Sequence, residues 1–210
     1  MDLMDTPITI GIIIITVLIS IRAQNDPDLK YKLVFYPYRI KQDKQQYRFF
    51  SHMFIHGDYV HLFFNMFVLF SFGRIMELIL VYEFGELFGR LHYLVLYIIG
   101  GLVAGLWPFF RNHNNPNYMS LGASGAVSAA LFATILWLPS QGLYVMFIPI
   151  EIKAWLFGFI YLGFEYYMSK RNANTGVAHD AHFGGAIFGV FYILLIAPYK
   201  GLDFINYLLQ

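Results

Sequence analysis

No cysteine occurs in the 210 residues, which excludes disulfides and all thiol chemistry. Charge is nearly as scarce: lysine, arginine, aspartate and glutamate make up 13% of the chain, against roughly 25% in an ordinary soluble domain. The net charge of +1 gives no basic field for a nucleic acid to read, so nucleic-acid binding is not expected. No hydrophilic stretch is long enough to form a separate folded unit, and no repeat or low-complexity segment breaks the chain. What fills the space is apolar. Hydrophobic residues are 58% and aromatics 20%, with a mean hydropathy of +0.55. Such a composition takes the lipid bilayer as its solvent, and the 22 phenylalanines and 16 tyrosines supply material for interfacial belts.

The apolar residues gather in runs at about 8–23, 61–81, 91–110, 122–138, 152–168 and 182–197. Each is near the ~20 residues needed to cross the hydrocarbon. The fold class expected is all-α: a polytopic membrane protein, one domain over 1–210, with six transmembrane helices. Asp2 and Asp5 precede the first run with no lysine or arginine, the wrong charge for a signal peptide, so it reads as a retained helix. The fifth run is the hardest to bound, because 144–150 is also apolar and Pro149 interrupts it. Residues 24–60 form the one long loop. Its charges are mixed with Tyr31, Phe35, Tyr36, Tyr47 and Phe49, which suits an amphipathic structure lying in the headgroup region.

Polar groups inside such runs are costly and mark function. Ser124 opens the fourth run among Gly122, Ala123, Gly125 and Ala126, and His182 opens the sixth. A hydroxyl and an imidazole are the parts of a nucleophile and its general base. His61 and Asn65, spaced i, i+4, share one face of the second run. Even-numbered runs enter from one side, so topology alone brings these four groups to one membrane face. Below His182, Gly185 and Gly189 continue the same helical face, and the fourth run begins with small residues, so the two helices approach closely. The blander reading of Ser124 is a helix N-cap, which leaves the histidine without a role. His179 competes with His182 as base but lies about a turn nearer the water, without the glycines beneath it. Asp180 reads as a loop acid rather than a triad member. His52 and His56 have i, i+4 spacing but lack the glutamate of a His-Glu-x-x-His zinc motif, so no metal is expected. Arg74 and Glu77, at the far end of the second run, read as a structural pair that meets freed backbone groups. Glu77 is ~18 Å from Asn65 by helix rise, too far to serve the site.

Three motifs in order carry a family resemblance. His52 and His56 followed by His61 and Asn65, then Gly122-Ala-Ser-Gly125, then His182 with Gly185 and Gly189, resemble the rhomboid intramembrane serine proteases of the six-helix bacterial type. Arg48 resembles the arginine of the family's first-loop Trp-Arg pair, with Tyr47 in place of the tryptophan, and Glu77 the glutamate low in the second helix. Two positions depart. Ser128 stands where a tyrosine often supports the catalytic ring, with Phe132 as a candidate replacement, and Val81 stands where a glycine often closes the second-helix motif. The resemblance implies Ser124 as nucleophile, His182 as general base, and His61, Asn65 and the Ser124 amide as the oxyanion hole. Gly122, Gly125, Gly185, Gly189 and His56 have supporting roles.

It further implies an endopeptidase that cuts transmembrane segments of membrane-protein substrates without metal or cofactor, in a bacterial inner membrane. Substrate enters laterally between the second and fifth helices. Ten of the fourteen lysines and arginines fall on the side of the catalytic groups. The positive-inside rule turns that side to the cytoplasm; the resemblance turns it outward, and is followed because the first loop reads as partly embedded. The alternatives are a catalytically silent rhomboid-like protein that binds membrane-protein clients, and a small-molecule transporter. Polar groups at one face rather than the midplane speak against the transporter.

Overall fold

The computed structural model describes residues 2–144, 150–171 and 178–209. The stretch at 145–149, which made the fifth run hard to bound, lies outside them. A 3-10 turn at Leu3–Asp5 leads into α1 (Pro7–Gln24), which starts on a proline where a missing amide costs nothing. The first loop folds into α2 (Pro27–Leu33), α3 (Pro37–Gln42) and α4 (Arg48–Ser51). Asp26 caps α2, accepting the Leu29 amide at 3.0 Å. Next, α5 (Tyr59–Val68) and α6 (Arg74–Phe84) make one continuous helix through a π turn at Leu69–Gly73. Asp58 caps α5 by accepting the His61 amide at 2.7 Å, and Gly85, at φ +80°, ends α6. Then come α7 (Glu86–Ala104), α8 (Leu106–Asn112), α9 (Ser124–Trp137), α10 (Ala154–Arg171), α11 (His179–Ile196) and α12 (Tyr199–Leu208).

All six expected segments are helical, and four of the helices are long and apolar enough to cross a membrane: Pro7–Gln24, Tyr59–Phe84, Glu86–Asn112 and His179–Ile196. The other two fall short for different reasons. The 14 residues of α9 extend ~21 Å at 1.5 Å per residue, less than the ~30 Å of hydrocarbon. Over its 18 residues α10 carries Glu165, Lys170 and Arg171. The all-α expectation also needs correction. β1 (Gly142–Tyr144) and β2 (Glu151–Lys153) pair antiparallel before α10, with Leu143 opposite Ile152. The fifth helix therefore starts at Ala154 rather than 152, because Ile152 is spent in the ladder. The sixth starts a turn early, at His179, so His182 is its fourth residue.

The centre of the molecule is α9, buried continuously from Gly125 to Leu136. It is enclosed by α5, α6, α7, α10 and α11. Its contact with α11 is backbone to backbone: a Cβ on Gly185 would collide with the carbonyl of Gly125, and one on Gly189 with that of Ala129. The small-residue faces expected of these two runs do meet. Outside, Ile14, Leu18, Phe63, Phe159, Phe191 and Leu195 are exposed, an apolar girdle too large for water. At the far end, buried Glu77 accepts the amides of Ile8 (3.0 Å) and Thr9 (2.8 Å) and the Thr9 hydroxyl (2.6 Å), while Arg74 holds Thr6 Oγ1 at 2.9 Å. Glu77 thus meets freed amides in the first turn of α1, while Arg74 donates to the Thr6 hydroxyl and the Asp2 carbonyl just before it, and together they fasten the start of α1 to α6.

Candidate active site

The first loop is built onto the segment before α9. Phe35 and Ser120 exchange backbone hydrogen bonds at 2.9 and 3.1 Å, and the Gly122 amide donates to the His52 carbonyl at 3.0 Å. Arg48 is buried and stitches this loop, donating to the carbonyls of Tyr31 and Val34, both at 2.8 Å, with its guanidinium against the Tyr47 ring. His56 is fixed at both nitrogens. Its Nδ1 lies 2.9 Å from Ser20 Oγ, itself donating to the Phe54 carbonyl, and its Nε2 accepts the Ala123 amide at 3.4 Å. That amide leaves Nε2 unprotonated and Nδ1–H the donor to Ser20. Burial keeps His56 neutral, pushing its pKa down to about 3, and does the same to His52. Support of the site through hydrogen bonds was expected of His56; its hydrogen bonds go to Ser20 and to the amide of the residue before Ser124.

Ser124 is the first residue of α9, and Ala123 occupies the cap position. The serine is not an N-cap, so its hydroxyl is not spent on the helix. Gly122, at φ +120°, turns the chain into that helix, with the His61 ring packed against its Cα face. The His61 ring also stands edge-on to His56 at 5.0 Å. Asn65 is buried and donates one amide hydrogen to the His61 carbonyl at 3.0 Å, keeping the other.

A cavity of about 900 Å³ lies between α5, α9, α10 and α11, with His61, Asn65, Ser124, Ser128, Tyr161 and His182 in its wall. All four residues expected to act together therefore border one space. Hydrogen-bond reach between Ser124 and His182 was also expected; among the described residues no hydrogen bond joins them. The ring of His182 is engaged by α10 instead. Its Nδ1 is 3.1 Å from Glu165 Oε1 and 3.4 Å from the Tyr161 hydroxyl. Tyr161, reaching in from α10, is also 3.3 Å from Ser128 Oγ. The space left by a serine in place of a tyrosine is thus taken by a phenol from another helix, while Phe132 packs against Tyr161 at 5.5 Å.

His179 is not nearer the water. It is buried, with Nδ1 2.6 Å from Glu165 Oε2, because α11 begins at this residue and turns it toward α10. Asp180 pairs with Arg111 at 3.1 Å, away from His182. Sequence reading missed Glu165 and Tyr161. The signal for the first was present, since Glu165 is an acid inside an apolar run. Together Glu165, His179 and His182 bring three ligand-type atoms within 4.8 Å of one another, the one cluster among the described residues that could hold a metal.

Apolar helices that carry polar side chains to one open cavity between them define a multi-pass integral membrane protein. Comparison with known proteins makes the class specific. A model of the Rhomboid domain matches residues 43–199, and the chain belongs to the rhomboid family. Presenilin-associated rhomboid-like protein A, mitochondrial, of Danio rerio is 28% identical over 67% of this chain and 35% of its own length. RHOMBOID-like protein 12, mitochondrial, of Arabidopsis thaliana is 31% identical over 63% of this chain and 41% of its own. Rhomboid protease GlpG of Haemophilus influenzae is 30% identical over 50% of this chain and 48% of its own. The chain spans less than half the length of each of these relatives. Mitochondrial names among them leave the expected bacterial membrane without support.

Proposed function

We propose that this chain is an intramembrane serine endopeptidase that cleaves transmembrane segments of other membrane proteins. The observation that carries the reading is the single cavity bordered by Ser124, His182, His61 and Asn65. Family membership, with a named rhomboid protease among the relatives, supports it. His182 accepts the Ser124 proton as Oγ attacks the scissile carbonyl. The developing oxyanion is met by His61, the second amide hydrogen of Asn65 and the Ser124 amide, which is free at the first turn of α9. His182 then protonates the leaving amine, and a water delivered through the cavity releases the acyl group.

The chain crosses the membrane six times in this reading. The short α9 is buried among its neighbours from Gly125 to Leu136, so its length need not match the hydrocarbon, and water reaches Ser124 from the rim formed by Lys30 and Asp58. Val60, Phe64 and Val68 of α5 face Phe157 and Tyr161 of α10 across the cavity, which supports lateral entry of a substrate helix between these two elements. Nothing in the chemistry calls for a metal or cofactor.

Purified protein in liposomes, offered transmembrane substrates, tests the reading. Ser124→Ala abolishes cleavage and fluorophosphonate labelling while the fold persists, because a methyl adds no volume among small residues. Equal cleavage by the alanine variant removes Ser124 as nucleophile. Specific client binding by a wild-type protein that never cleaves favours a silent client-binding role.

A further inference from the structure

We propose that Glu165 is the third member of the catalytic apparatus, a positioning residue whose carboxylate holds His182 with Nδ1 protonated and Nε2 free for the Ser124 proton. This rests on the protease reading and goes beyond a two-residue mechanism.

The geometry is specific. Glu165 Oε1 lies 3.1 Å from His182 Nδ1, and Oε2 lies 2.6 Å from His179 Nδ1. Both oxygens of one carboxylate are therefore tied to imidazole nitrogens on adjacent turns of α11, and the group cannot rotate away. An ionised carboxylate only accepts, so each ring nitrogen facing it must be an N–H. That fixes the tautomer: with Nδ1–H spent on Glu165, Nε2 carries the lone pair. The side chain of Glu165 is 5% exposed and that of His182 14%, so this contact is shielded from competing water. A buried acid in an apolar helix is expensive; here its cost is offset by two N–H donors. The Tyr161 hydroxyl, 3.4 Å from the same Nδ1, is the longer and weaker partner.

In the reaction the Ser124 O–H bond breaks, its proton goes to His182 Nε2, and Oγ bonds to the scissile carbon. The imidazolium so formed keeps Nδ1–H on Glu165, whose negative charge opposes the new positive one. Nε2 then returns the proton to the leaving nitrogen as the C–N bond breaks, and the carboxylate ends unchanged. A cation shared by Glu165, His179 and His182 is a competing use of the cluster. The 2.6 Å separation argues against it, since two ligands at ~2.0–2.1 Å from a tetrahedral zinc stand more than ~3 Å apart.

The test uses the full chain in detergent or liposomes with a fluorogenic transmembrane-segment substrate and a fluorophosphonate probe. Glu165→Gln lowers kcat about 100-fold or more with little change in KM, and slows probe labelling by a similar factor. Glu165→Asp recovers part of both, and EDTA leaves wild-type activity unchanged. A purely structural glutamate would lower the active fraction and leave the labelling rate of the folded remainder alone. Wild-type kcat and labelling in Glu165→Gln overturns the proposal, as does activity lost to EDTA and restored by zinc. If Glu165→Gln has no melting transition, Glu165→Asp decides: kcat about tenfold down at constant KM upholds the proposal, and unchanged kcat overturns it. Cleavage that survives Ser124→Ala would instead overturn the protease reading itself, a separate result.

Discussion

Gly122 shows how much one residue decides here. Its φ of +120° is a region that residues with a Cβ rarely adopt, and a Cβ at this position would lie 2.9 Å from Cε1 of His61 and 3.0 Å from its Nε2. Gly122→Ala therefore strains the backbone, at about 1–3 kcal/mol, and pushes away the ring proposed to hold the oxyanion. We expect melting in detergent to fall by several degrees and kcat to fall at least tenfold, more than KM changes. A variant with native melting and native kcat would mean that the Gly122–His61 contact has no bearing on the site. His56 acts on the same few atoms from the other side, through the Ala123 amide. The residue before the serine is thus held by His56, and the one before that packs against His61, both histidines of the first motif.

At the scale of elements, the crossing of α9 and α11 brings Ser124 and His182 to the same cavity. Gly185 and Gly189 let α11 lie directly on the carbonyls of α9, and a larger residue at either position separates the helices. Gly189→Leu should reduce cleavage to background and lower the melting temperature, although residue 189 lies about two turns below His182. Gly163→Ala is the control, because nothing lies within 4 Å of a Cβ there and alanine favours a helix; it should keep full activity and equal or better stability. Matching losses in both variants would say that any change in these helices is damaging. Helix α10 contributes in another way. Its Tyr161 and Glu165, one turn apart, both face the His182 ring, so the helix proposed to border substrate entry also holds the proposed general base.

Across the whole molecule, stability depends on keeping two histidines neutral. His52 and His56 join the first loop, α1 and the segment before α9, and burial lowers the pKa of each from 6.5 to about 3. Between those values the unfolded chain binds more protons than the folded one, so stability rises with pH through this window. The contribution is complete above about pH 6.5 and is lost progressively as pH falls toward 3. Thermal melting in detergent should be flat from pH 8 to 7 and decline steadily below pH 6. His56→Gln should flatten that decline, at the cost of a lower melting temperature at pH 7. A melting temperature that stays constant between pH 7 and 5 would contradict the burial of these rings.

What the sequence determined by itself was whatever repeats along the chain. Low charge and six apolar runs announced a membrane protein with helical segments, and helical periodicity put His61 with Asn65, and His182 with Gly185 and Gly189, on common faces. The small residues around Ser124 announced a close helix contact. These are local properties, and hydropathy and spacing report them directly. Tertiary structure decided the rest. Glu165 and Tyr161 reach the His182 ring across 17 and 21 residues of sequence, from a helix whose rotation about its axis no local pattern fixes. His179 is buried because α11 starts one turn earlier than its apolar run, and the histidine that opens that turn satisfies Glu165 rather than water. The β1–β2 ribbon exists because Leu143 and Ile152 pair across the chain, which neither three-residue segment does alone. An imidazole's second partner is set by which helix packs against it, and packing is a property of the assembled bundle.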